Sequence, residues 1–172
     1  MQIKTLALDK SKIISLTQFG ILLGISIIAP LFHFQPITGP IVNACLFIAT
    51  AILGVQAGIM LGLLPSLIAL SAGTLPTPLA PMVPFIMASN AIMVVAFAFF
   101  KERHFAVGVI WASVLKFSFL FSTSYIVIHL ISQKPIAQKA ATMMSWPQLT
   151  TALMGGLLAF IFLHFYKKNG NH

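Results

Sequence analysis

Lys116 lies inside an apolar run from His104 to Ile131 that is long enough to cross a bilayer as a helix. An ammonium group at membrane depth is costly, turns toward protein or water rather than lipid, and by default marks a functional site. The chain has only two acidic residues, Asp9 and Glu102, and both sit at the edges of hydrophobic stretches. Neither is placed to neutralise Lys116, so the counter-charge points to a ligand.

Helical rise places two more polar groups at the same depth. Lys116 is twelve residues from His104, Asn90 ten from Phe100, and Asn43 eleven from Gly54. At about 1.5 Å per residue, all three stand roughly 15–18 Å from one membrane surface. Carboxamides bond carboxylates, carbonyls and ring nitrogens, so Asn43, Asn90 and Lys116 could line a site for an amphiphilic ligand. A blander reading stays open: the amides bond each other or helix backbone, and the lysine stem snorkels.

The same run carries Ser118, Ser122, Tyr125 and His129 at i, i+4, i+7 and i+11, one helical stripe that Trp111 extends. Lys116 and Thr123 project from nearly the opposite side. Thr123, Tyr125 and His129 are therefore candidate ligand contacts from two faces, and the spacing does not say which face lines the pocket. Two polar faces place this helix centrally in its bundle.

The elements that must position these groups follow from composition. Of 172 residues, 59% are hydrophobic and 7% charged, and the mean hydropathy is +1.01. Soluble domains carry about 25% charged residues. The expectation is an all-α polytopic membrane bundle, a single integral-membrane domain over residues 1–172. Apolar length and Gly/Pro punctuation give six spans: Ile13–Phe32, Pro40–Leu53, Val55–Ser71, Met82–Phe100, Phe105–Ile131 and Trp146–Tyr166. The first is too long for a signal-peptide core, and no small-x-small cleavage site follows it.

With the N-terminus inside, seven basic residues (Lys4, Lys10, Lys12, Lys101, Arg103, Lys167, Lys168) lie on the inner side. Only Lys134 and Lys139 lie outside. Both termini are then cytoplasmic and the protein belongs in the plasma membrane. The net charge of +8 is spent on this topology rather than on nucleic acid. The outer connection 72–81, AGTLPTPLAP, cannot be regular helix because of its prolines. Ser145-Trp146-Pro147-Gln148 has the form of a capping box, with Ser145 as N-cap and Gln148 at N3.

Small residues recur at four-residue spacing: Gly20 and Gly24 on the first span, and Gly54, Gly58, Gly62 and Ser66 on the third. Such spacing permits close backbone approach. Packing within the chain suits the third span; on the first, docking against another subunit competes with it.

Several chemistries find no footing. The histidines have no metal-ligand spacing, and no Ser/His/Asp group, HExxH helix or Walker motif is present. Cys45 is a single cysteine, which excludes an internal disulfide or a multi-cysteine metal site. No cofactor or metal is expected, and the chain does not read as an enzyme. A channel or proton-coupled carrier is disfavoured because no membrane carboxylate is available for coupling.

Six short spans, a small-residue motif on the first helix and long outer loops resemble the substrate-binding S-components of energy-coupling factor (ECF) transporters. The most specific match is Gly54–Asn90: a Gly-rich helix, a Pro-rich loop, and a P-x-x-P-F-x-x-x-x-N segment formed by Pro81, Pro84, Phe85 and Asn90. The resemblance implies that outer connections close over a vitamin-like small molecule, here anionic or carbonyl-rich. It implies that Gly20 and Gly24, where the family usually has alanines, contact a transmembrane coupling subunit. Separate cytoplasmic ATPases would supply the energy, and this chain would reorient to release its ligand inward. The rival is a structural or assembly subunit that packs through its glycine ridges and binds no small molecule.

Overall fold

A computed structural model of the chain describes residues 10–32, 34–73, 77–130, 138 and 141–169, and every regular element among them is helical. Helix α1 (Lys10–Ile28) runs into a 3-10 turn at Ala29–Phe32, followed by α2 (Gln35–Ile52) and α3 (Val55–Ser71). A second 3-10 segment, Thr77–Met82, leads into α4 (Val83–Phe100), and then come α5 (Phe105–Leu130) and α6 (Trp146–Asn169). Of the residues discussed above, Lys4, Asp9, His33, Pro76, Ile131, Lys134 and Lys139 lie outside the described ones.

Four stretches are long and apolar enough to cross a membrane: Lys10–Phe32, Ala80–Phe100, Phe105–Val127 and Ala141–Lys168. The other two, α2 and α3, are shorter apolar helices. The outer surface is apolar as well; Leu16, Phe32, Phe99 and Trp146 are each more than half exposed. Such a surface suits lipid, not water.

Helix α2 begins five residues before the expected Pro40. Pro36 occupies its first turn, where no backbone donor is needed, and Pro40 is carried inside the helix. The turn between α2 and α3 is only Leu53 and Gly54. Gly54 takes φ +95° and its N–H bonds Ala49 O at 3.1 Å, so the chain reverses without a loop.

Position α2 is the centre of the bundle: it packs on α1, α3, α4 and α6. Helix α5 packs chiefly on α4 and α6 and reaches α2 through the Lys116 side chain. The expectation of a central fifth helix is thus corrected. Val109, Ala112, Ser113, Lys116 and Leu120 form its buried face, while Trp111, Ser118, Ser122 and Tyr125 look outward.

The core divides into two. Toward the Gly54 end, Phe47 meets Phe97 edge-on at 4.9 Å, Phe97 meets Phe105 at 5.2 Å, and Phe105 contacts Phe160 at 5.6 Å. Toward the other end, Met82, Leu120, Val127 and Met144 pack together.

Glycines set the helix spacing. A β-carbon on Gly58 would strike Thr50 and Val94, and one on Gly62 would lie 2.9 Å from Asn90 Cβ. The α3 ridge is therefore consumed inside the chain, although Gly54 itself faces open space. A second small pair, Gly155–Gly156 on α6, went unnoticed in the sequence. A β-carbon on Gly155 would fall 2.6 Å from Asn43 Cβ and 2.9 Å from Pro40 O, and one on Gly156 would enter Val109. Backbone cannot move aside cheaply. Gly155→Val is expected to cost about 1–3 kcal/mol or more through overpacking, read as a lower melting temperature in detergent. Gly20→Ala, with nothing within 4 Å, is expected to leave that temperature unchanged.

Candidate functional site

Each member of the polar trio is placed by a different helix. Asn43 projects from α2, Asn90 from α4 and Lys116 from α5, and all three are buried. Lys116 Nζ donates to Asn43 Oδ1 at 2.6 Å and to Asn90 Oδ1 at 2.8 Å. Asn90 Nδ2 in turn donates to Gly62 O on α3 at 2.9 Å. Close contact at Gly155 brings α6 against Asn43. One lysine head group thus ties five helices together.

Magnitudes say what this knot does. A hydrogen bond to a charged group contributes about 1.5–3 kcal/mol, so two contribute roughly 3–6. Removing an ammonium from water costs several kcal/mol even after relaxation. The two terms nearly cancel, so the knot leaves no clear surplus for stability. Replacing Lys116 alone would strand the Asn43 and Asn90 oxygens, but replacing all three by packed apolar residues would cost the bundle little, so an unneutralised lysine is best understood through what it binds.

The knot borders a cavity of about 150 Å³. Asn43, Asn90 and Lys116 line it together with three polar side chains that sequence reasoning does not place in the site: Ser26 from α1, Ser66 from α3 and Gln148 from α6. Apolar wall comes from residues such as Pro30, Val42, Pro65 and Ile86. Ser26 is fully buried, and its Oγ meets no nitrogen or oxygen partner, only the weakly bonding Cys45 thiol beside it. Ser113 Oγ, one turn from Lys116 on α5, is buried and unpaired. A signal for Ser26 existed in the sequence, since it is a polar residue deep in the first apolar span. Nothing there showed which way it turned.

Other expected contacts do not join the cavity. Thr123 Oγ1 donates to Phe119 O and Leu120 O of its own helix at 2.8 and 3.2 Å. Tyr125 is 68% exposed on the opposite face of α5. His129 belongs to α5, but its side chain lies outside the described residues. It is the Lys116 face of α5 that meets the cavity.

The capping box is also corrected. Ser145 Oγ donates to Thr142 O at 2.8 Å and Gln148 Nε2 to Met143 O at 3.0 Å. The chain makes a turn before α6, and both side chains donate to its carbonyls, whereas in a box they would accept from backbone N–H groups. Gln148 is thereby held at the cavity.

Gly20 and Gly24 face away from the site. Leu22, Ser26 and Ala29 are the buried stripe of α1, and the two glycines lie about 200° round the helix from Leu22 and Ser26 respectively. A β-carbon on either meets nothing within 4 Å. This small-residue face is open.

Residues 15–165 match the model of the family described as ECF transporter, substrate-specific component. No curated protein and no solved structure matches the chain. The rival reading of an assembly subunit gains no support, because the α3 ridge is spent inside the chain and the matched family binds substrates. A polytopic helical bundle with a largely apolar, multi-helix cavity that carries a few converging polar groups agrees with that match, and the chain belongs to the substrate-specific components of ECF transporters, multi-pass membrane subunits that bind a small molecule, associate with other ECF components in the membrane and are not enzymes.

Proposed function

We propose that this chain captures a vitamin-like micronutrient from the outer face of the plasma membrane in the Lys116 cavity. It then delivers the molecule inward together with a transmembrane coupling subunit and cytoplasmic ATPases. The observation that carries this reading is the meeting of Lys116, Asn43 and Asn90 on one cavity. A cation shared by two neutral amides attracts an electron-rich ligand, anionic or carbonyl-rich.

The topology that goes with this function has six crossings, all within a single domain, and cytoplasmic termini. The basic residues Lys10, Lys12, Lys101, Arg103, Lys167 and Lys168 support it, since they collect at the ends of α1, α4 and α6 that share one side. The cavity then opens toward the outer half, bordered by the ends of α1 and α6. Gly20 and Gly24 serve as the docking face for the coupling subunit, their openness being what a close helix–helix contact requires.

Two results test this reading. Lys116→Ala is expected to weaken ligand binding about ten- to hundredfold, the value of one charged hydrogen bond, while the protein stays folded in detergent. Native mass spectrometry of gently purified protein supplies the ligand and reports its loss; normal folding with undiminished retention would remove Lys116 from the site. Gly20→Leu with Gly24→Leu is expected to abolish co-purification with a co-expressed coupling subunit while ligand retention persists. Retained co-purification would move the docking face elsewhere.

A further inference from the structure

We infer that the molecule held at Lys116 is a small monocarboxylate, gripped at its carboxylate by Lys116, Asn43 and Ser26. This rests on the capture reading above and narrows it, excluding neutral carbonyl-rich ligands. It also assigns Ser26 as a specificity residue.

The argument is a count of donors and acceptors on the polar wall. Both amide oxygens are committed to Lys116 Nζ, and Asn90 Nδ2 is committed to Gly62 O. An ammonium has three N–H donors, so one is left over. Asn43 has spent its oxygen, and its Nδ2 donors have no partner among the described residues. Ser26 Oγ, fully buried and lining the same cavity, has nothing beyond the weak Cys45 thiol to bond. The open groups nearest Lys116 are therefore chiefly donors; the acceptors left on this cavity are the Ser26 and Ser66 hydroxyls, the Gln148 oxygen and the second lone pair of each asparagine oxygen.

A wall of donors around one positive charge selects a group that only accepts. A carboxylate fits: two oxygens with about four lone-pair sites and a single negative charge. A primary amide brings N–H groups that would face Lys116 and Asn43 donors, and an unmade bond in a buried site is expensive. A phosphate brings more charge than one lysine balances. The rest of the ligand must be compact, since the cavity holds about 150 Å³, and largely apolar where it meets Pro30, Val42, Pro65 and Ile86. Gln148 uses its Nε2 on Met143 O, which leaves its oxygen to accept a donor from the far part of the ligand.

Paired probes test the inference on the full-length protein in lipid nanodiscs. Short aliphatic and single-ring monocarboxylic acids are each compared with their own primary amide and methyl ester, with inorganic phosphate as a bare oxyanion. Calorimetry and melting-temperature shifts read binding. At least one acid is expected to bind about tenfold or more tightly than its amide and ester. Lys116→Met is expected to erase that preference. Ser26→Ala, which removes one weakly bonded hydroxyl and leaves folding intact, is expected to weaken the acid about tenfold without affecting the amide.

Amides or esters that match their acids, or phosphate that matches them, overturn the carboxylate assignment while leaving the capture reading in place. If no probe binds, the molecule retained in native mass spectrometry decides. A carboxylate supports the inference, a neutral or cationic molecule overturns it, and an empty folded protein overturns both readings.

Discussion

A lysine ammonium shut away from water, held by carboxamide oxygens from two neighbouring helices, sets the terms for the rest of this bundle. The charge has to be reached by acceptors on rigid elements, and the elements must come close enough to deliver them. Asn43 and Asn90 supply the oxygens, and Gly62 O fixes the Asn90 amide so that its oxygen points inward. The glycines follow from the same demand. Gly62 lets α3 approach Asn90, and Gly155 lets α6 approach Asn43. Small residues are thus concentrated where polar residues need a close backbone, which joins the packing of the bundle to its chemistry.

This arrangement also separates what α1 does on its two sides. Its inner stripe ends in Ser26 at the cavity, while Gly20 and Gly24 stand open on the other side. A ligand and a membrane partner can therefore touch the same helix without competing for surface. The family to which the chain belongs requires both kinds of contact.

Distances along the helices were legible in the sequence, and rotation about them was not. Rise per residue is a ruler that needs only the span ends, so the common level of Lys116, Asn43 and Asn90 could be counted before any contact was known. Rotation is normally read from a polar face set against an apolar one. Here lipid replaces water outside, both faces are apolar, and that signal vanishes. Hence Tyr125 and Thr123 were weighed beside Lys116, although the first looks outward and the second bonds its own helix. Proline misled for a related reason: Pro40 reads as a boundary, but its missing donor is tolerated within the early turns of α2. Ser145 and Gln148 had the spacing of a cap, and a preceding turn that pattern could not reveal took both side chains.

The row of rings from Phe47 through Phe97 and Phe105 to Phe160 has an electrical meaning. It lies between the Lys116 level and the Gly54 end of the bundle, two of its contacts edge to face and the third tilted, with no polar side chain among the four. A file of water needs hydrogen-bonding steps, and these rings provide none. A subunit that admits a solute partway into the bilayer must still insulate the remainder, where each elementary charge gains about 2.3 kcal/mol per 100 mV. Around these four rings the bundle is a low-dielectric stretch that offers an ion or a proton no polar step.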